Sequence, residues 1–259
     1  MAKGRVFIVG AGPGDPKLLT LRAYELIMNA DVVIFDRLVS KAILDLIPST
    51  VNKVCKQETQ QEINELMISE AEAGKQVVRL KGGDPLFFAR SIDELRALRD
   101  INIDFEIVPG ITSAFAAPAY AGVPLTDRKY ASSVTIVTGH EATSKRSKIK
   151  WSQFANVETL VILMGVEAFP KIARELISAG SDRRTSVVVI ERGTTKKQKT
   201  ILCTLGEALE GEIYKKIKSP SVIVVGKVAA FAKELDWYHL NSLYVSPLLQ
   251  GTSAIEEKD

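Results

Sequence analysis

Short β-branched apolar runs alternate with amphipathic stretches through the first half of the chain: "VFIV", "TLRAYELIMNA", "VVIF", "QQEINELMISEAEAGK" and "QVVRL". The apolar runs are too short for helices and too continuous for half-exposed strands. They predict buried, largely parallel strands joined by helices, an α/β arrangement. The stripe Ile63, Leu66, Met67 and Ala71 predicts a helix that Gly74 ends, and Ser91-x-x-Glu94 reads as a capping box opening "SIDELRALRD".

A stretch rich in small residues and prolines, "ITSAFAAPAYAGVPLTDR", interrupts this pattern, and a second strand series then begins with "SVTIVTGH", "TLVILMG", "TSVVVIERG" and "SVIVVG". Two α/β domains are expected, residues 1–125 and 126–240, followed by a weakly structured tail, 241–259. "EATSKRSKIK" reads as a solvated basic loop, and no repeat period connects the halves.

Composition narrows the function classes. Across 259 residues, 34 Lys and Arg stand against 31 Asp and Glu, a net charge of +3 that implies no general nucleic-acid coat and leaves room for a local basic patch. Cys55 and Cys203 lie far apart, and with only His140 and His239 beside them no ligand run is spaced for a metal; two reduced thiols in a cytoplasmic protein are expected. "MAKGRVFIVG" is too soon broken by glycine to read as a signal peptide, and Lys227 interrupts the longest apolar stretch well short of the ~20 residues of a membrane span.

"GAGPGDPKLLT" after the first strand invites a dinucleotide-binding reading, because Gly10 and Gly12 fit that fingerprint and Asp36 closes the next strand. The physics disfavours it. Asp15 occupies the place of the third glycine and brings a carboxylate toward the supposed diphosphate, while Pro13 and Pro16 remove two N–H donors. Such a turn, rich in carbonyls and poor in donors, suits a cationic or neutral ligand.

"VVRLKGGDPLFF" repeats the arrangement, with a strand that ends in Gly82, Gly83, Asp84 and Pro85. If the two strands are neighbours in a parallel sheet, both loops lie at its carboxyl edge, where open α/β folds bind ligands. Taken alone, GGDP reads equally well as a tight turn.

Together, "VGAGPGDPKLLTLRA", "ADVVIFDRLVS", "VVRLKGGDP", "VPGITSAFAAPAYAGVPLTDR" and "VTGH" are far more specific. In order and spacing the chain resembles the tetrapyrrole methylases, and among them the S-adenosylmethionine-dependent uroporphyrinogen-III C-methyltransferases, from about Val6 to Trp237. The resemblance implies two α/β domains distinct from the Rossmann methyltransferases, the methyl donor held in the cleft between them, no metal, and a homodimer. It also implies methylation of carbons 2 and 7 of uroporphyrinogen III to precorrin-2 by way of precorrin-1, feeding siroheme and cobalamin synthesis, with S-adenosylhomocysteine as the spent donor.

The resemblance assigns the donor to Pro13, Gly82, Gly83, Asp84, Phe87, Thr112, Ser113, Met164 and Gly193. It assigns proton acceptance to Asp36 and proton donation to Lys56. Two of these have plain alternatives: Met164 by itself reads as a core residue, and Asp36 as a cap for the loop "RLVS". The substrate's many carboxylates call for cations, and Arg37, Arg90, Arg128 and Lys129 stand beside motifs, though exposed arginines also serve as solubilising charge. His140 reads either as a cleft residue or as a structural one.

The chain departs from the family pattern around its substrate-facing loops. Cys55 replaces a glycine, about five residues including a histidine are missing after Lys56, and "LFFARSIDE" stands where the family favours an aromatic after GGDP and then glycines. Ala89 and Ser91 are expected to restrict the backbone there. Rival readings are a methylase of a later cobalamin precursor, a diphthine synthase, and a nonenzymatic ligand sensor.

Overall fold

The computed structural model describes residues 3–55, 59–140, 148–210, 217–238 and 243–245. The chain forms two compact units, Met1–Thr112 and Ser113–Asp259.

The first unit is built on strands β1 (Arg5–Gly10), β2 (Val32–Phe35), β3 (Asn52–Cys55), β4 (Gln76–Lys81) and β5 (Phe105–Val108), with helices α1 (Leu21–Met28), α2 (Lys41–Leu44), α3 (Gln60–Glu72) and α4 (Ser91–Asp100). The strands pair in the order β3-β2-β4-β1-β5, every pair parallel. Because side chains alternate across a strand, Val6 and Ile8 enter one core with Val77, Ile63 and Met67, while Phe7 and Val9 enter the other with Leu80, Leu26 and Ile27. Helices thus cover both faces, which is why the strands read as unbroken apolar runs. Each fully buried Ile, Leu or Val contributes about 1.5–3 kcal/mol.

Local signals set the helix ends. Thr20 caps α1, its hydroxyl accepting from the Ala23 N–H at 3.1 Å, and Gly74 takes φ 84° just beyond α3, the conformation a C′ glycine supplies at least cost.

The second unit contains α5 (Ser113–Tyr120), β6 (Thr135–Thr138), β7 (Leu160–Leu163), α6 (Phe169–Ser178), β8 (Ser186–Glu191), β9 (Lys199–Thr204), α7 (Leu205–Glu210), β10 (Ser221–Val225), α8 (Ala232–Leu235) and β11 (Leu243–Val245). Its sheet runs β11-β9-β8-β10-β7-β6 and is mixed: the outer pairs are parallel, and β7-β10-β8-β9 are antiparallel. The four apolar runs of the second series are strands as expected, but their direction is invisible in sequence, since a strand buried on both faces is apolar in either sense.

The units part between Thr112 and Ser113, ahead of the 125/126 boundary that composition suggests, because α5 packs on β7 and β10. The weakly structured tail is corrected in part: β11 pairs with β9. Among the described residues no helix is long and apolar enough to cross a membrane.

Candidate active site

β1 and β4 are hydrogen-bonded neighbours, with Gly10 opposite Lys81, so the two glycine loops emerge side by side at the carboxyl edge of the first sheet, as the motifs predict. They are knitted together through their main chains. The Ala11 N–H donates to the Lys81 carbonyl at 2.7 Å, Gly12 donates to Gly83 at 3.1 Å, and Gly83 donates back to Gly12 at 2.8 Å.

This use of amides decides the character of the first loop. The Lys17 N–H is also taken, donating to Asp15 Oδ1 at 2.9 Å, and Pro13 and Pro16 have no N–H. A diphosphate would therefore find few donors in this loop, and several of its carbonyls are occupied too, Gly12 accepting from Gly83 and Gly14 from the Ser40 hydroxyl at 2.7 Å. Pro13 itself is half-buried between Gly12, at φ 72°, and Gly14, at φ 140°.

The second loop is tied to the end of β5. Asp84 accepts from the Leu86 N–H at 2.8 Å and the Gly110 N–H at 3.1 Å, so its carboxylate first of all shapes the loop. A Cβ on Gly10 would stand 2.6 Å from Gly110 Cα, and one on Gly110 would overlap the Gly83 carbonyl oxygen; these backbones touch and admit only glycine. Gly83 differs. At φ 71° its Cβ would project into open space, with Thr112 Cα the nearest atom at 4.0 Å, and a ligand can approach the main chain there. Gly82 is closed off by Leu38, 3.0 Å from where its Cβ would stand, and Phe87 is half-buried with its ring 4.6 Å from that of Phe88.

Asp36 follows β2, beside the second loop. Its main-chain carbonyl accepts from Val39, closing the turn, but its carboxylate does not cap "RLVS": Oδ1 accepts from Arg79 Nη2. Its side chain keeps 33% exposure. Arg37 and Arg90 are exposed at the same sheet edge. Lys56 lies outside the described residues.

In the second unit, Ser113 opens α5, Met164 follows β7 and Gly193 follows β8. With β10 antiparallel between them, β7 and β8 run the same way, so Met164 and Gly193 occupy one edge of that sheet. Met164 is no core residue: it stands at φ 53° and is 52% exposed. Gly193 is fixed by close packing, since a Cβ there would meet Ala117 Cβ at 2.5 Å. Arg128 and Lys129 are exposed in a turn that the Asp127 carboxylate closes by accepting from the Lys129 and Tyr130 amides at 2.9 and 3.2 Å. His140 is exposed. Among the described residues no group of His, Cys, Asp and Glu could hold a metal.

The profile of the family described as Tetrapyrrole (Corrin/Porphyrin) Methylases matches residues 5–209. The chain belongs to the tetrapyrrole methylases. It is 46% identical over 234 residues to the S-adenosyl-L-methionine-dependent uroporphyrinogen III methyltransferase of Methanosarcina barkeri, covering 87% of this chain and 92% of that one. It is 44% identical over 246 residues to the uroporphyrinogen-III C-methyltransferase of Bacillus subtilis, with 91% and 95% covered. Among solved structures, the Thermus thermophilus uroporphyrin-III C-methyl transferase complexed with S-adenyl homocysteine is similar at TM-score 0.78 and 40% identity, covering 87% of this chain and 98% of that one.

One expectation for this tetrapyrrole methylase is corrected by its geometry. Ser91 and Glu94 form no capping box: Ser91 is the first residue of α4 and its hydroxyl donates to the Pro85 carbonyl, while the fully buried Glu94 turns under the sheet to Arg79 and Lys81. In the same turn the left-handed positions fall at Phe88 and Arg90, both at φ 56°, and not at Ala89 or Ser91.

Sequence reasoning also missed residues that hold the site. Arg79 and Lys81 are cations inside a central buried strand, and that placement alone signals a buried partner. Gln198 is buried, accepts from the Thr194 N–H at 2.7 Å and donates to the Tyr120 carbonyl at 3.2 Å, fixing the turn around Gly193. No local signal in sequence marks it.

Proposed function

We propose that this chain is an S-adenosylmethionine-dependent C-methyltransferase that converts uroporphyrinogen III to precorrin-2 by way of precorrin-1, in siroheme and cobalamin biosynthesis. The observation that carries this reading is the Gly12 and Gly83 cross-link: it spends two amides an anion would need and leaves an open approach to the main chain at Gly83.

The donor fits the residues present, by this opening beside Gly83 and by the scarcity of free N–H donors in the first loop. Pro13, Gly82, Gly83, Asp84, Phe87 and Thr112 in the first unit, and Ser113, Met164 and Gly193 in the second, are the residues assigned to it. When bound, it supplies an electrophilic methyl on a positively charged sulfur. The chain's main task is alignment, which removes about 7–11 kcal/mol of barrier, more than the few kcal/mol a single general base supplies.

Once a ring carbon is methylated, the macrocycle carries a positive charge that the loss of a proton relieves. Asp36 takes that proton on Oδ2, since Oδ1 is held by Arg79. Lys56 is assigned the complementary proton donation. Arg37, Arg90, Arg128 and Lys129 present exposed cations to the substrate's carboxylates. On the same resemblance we take the enzyme to be a cytoplasmic homodimer.

The test is incubation with methyl-labelled donor and freshly made uroporphyrinogen III. Label should appear in a precorrin-2 chromophore. Donor binding without transfer would leave the sensor reading, and transfer only to later cobalamin precursors or to translation elongation factor would favour the rival enzymes.

A further inference from the structure

Four charged side chains form a chain beneath the carboxyl edge of the first sheet. Lys81 Nζ donates to Glu94 Oε2 at 2.8 Å, Arg79 Nε donates to Glu94 Oε1 at 2.9 Å, and Arg79 Nη2 donates to Asp36 Oδ1. Side-chain exposure is 3% for both cations and 0% for Glu94, so only Asp36 reaches solvent. The formal charges cancel. Burying such groups still costs several kcal/mol each in desolvation, and well-packed apolar side chains often serve stability as well or better. Packing therefore gives no reason for this arrangement.

Geometry supplies one. The guanidinium is a rigid plane of five N–H donors, and a single acceptor leaves it free to swing. Glu94 pins the Nε edge, and the Ile34 carbonyl lies 3.5 Å from Nη1. With those two edges held, Nη2 faces Asp36. Lys81 engages the other Glu94 oxygen, so the carboxylate bridges two cations and cannot turn away from Arg79. Gln60, whose Nε2 lies 3.4 Å from Glu94 Oε1, adds a weaker contact on the same side. Glu94 also sits in the first turn of α4, whose Ser91 hydroxyl bonds to Pro85 of the second glycine loop, so one short element touches both that loop and the partner of Asp36.

We propose that Glu94 is a positioning residue for Asp36: by fixing the guanidinium of Arg79, with Lys81 as counter-charge, it sets the orientation of the carboxylate that accepts the proton from the methylated ring. This rests on the reading of Asp36 as proton acceptor.

The test uses Glu94→Leu/Lys81→Met, which keeps the buried site neutral and removes the acceptor for Arg79 Nε. Expected is a fall in kcat for methyl transfer of about tenfold or more, with S-adenosylhomocysteine affinity unchanged within about twofold. Glu94→Gln/Lys81→Met, which restores an acceptor without the charges, should recover most of the loss. A kcat for the Leu/Met protein within about threefold of the parent, or a parallel loss of kcat and S-adenosylhomocysteine binding, overturns the proposal. If that protein does not fold, Glu94→Asp decides, because it keeps the charge and withdraws the acceptor by one methylene; unchanged kcat there also overturns it. Asp36→Asn separates the two levels. If it turns over at the parent rate, the reading of Asp36 fails; if it is inactive while the Leu/Met protein is not, only the role of Glu94 fails.

Discussion

Gly12 and Gly83 exchange both of their main-chain hydrogen bonds, at 3.1 and 2.8 Å, across the ends of two parallel strands. The chain leaving β1 and the chain leaving β4 thus turn to face one another, and the Gly12 and Gly83 amides are used in joining them.

Two glycine substitutions at this junction should behave differently. Gly83→Ala places a Cβ in open space at a cost of about 1 kcal/mol for the left-handed backbone, so the protein should fold and lose tenfold or more in affinity for S-adenosylhomocysteine. Gly110→Ala drives a methyl into the Gly83 carbonyl and should cost several kcal/mol of stability. Calorimetry and thermal unfolding on the pair check this; unchanged donor affinity in a folded Gly83→Ala protein would count against the site.

Asp36→Asn keeps the shape of the side chain and removes its capacity to take a proton. The methyl-transfer rate should fall by about 10²–10⁴ while donor binding is retained. Rapid-mixing kinetics beside equilibrium binding of S-adenosylhomocysteine separate these effects, and equal losses in both would mean that the Asp36 carboxylate serves the structure of the site and not proton transfer.

Much of this site is legible in the residues themselves. Strand runs ending in Gly-Asp-Pro mark two loops that share a sheet edge once their strands pair, as β1 and β4 do, and the prolines and Asp15 already argue against a phosphate cradle. Other features depend on long-range partners. Glu94 reads as a helix cap because Ser91 precedes it at the right spacing, yet two cations buried in β4 draw its carboxylate under the sheet. Met164 reads as core because it ends an apolar run, but its positive φ turns it outward. The antiparallel centre of the second sheet leaves no trace in strands apolar on both faces.

Arg22 grips Glu106 with two 2.9 Å hydrogen bonds, from Nε to Oε1 and from Nη2 to Oε2. That bond holds the Glu106 carboxyl below its ordinary value of 4.5, against a smaller opposing effect of burial. A carboxyl lowered on folding stabilises the protein above its unfolded value, and the contribution disappears as pH falls through the folded one. Glu106→Gln should therefore be less stable than the parent at neutral pH by about 1 kcal/mol or less, with the difference closing in acid. Urea unfolding of both proteins across that range measures it.

The two cysteines should react at very different rates. Cys55 is exposed at the end of β3, whereas Cys203 is buried in β9, where burial and then the charge of Glu207 push its thiol up to about 12. At pH 8, thiol titration should count one rapid group per chain and release the second only on unfolding. Two rapid groups in the native protein would contradict the burial of Cys203 in the core of the second unit.

The most direct measurement is a crystal structure of the protein with S-adenosylhomocysteine. The ligand should lie against the main chain of Gly82, Gly83 and Asp84, with Asp36 open to the space where the methyl would have been. Density for the ligand elsewhere, or none at saturating concentration, would contradict the assignment.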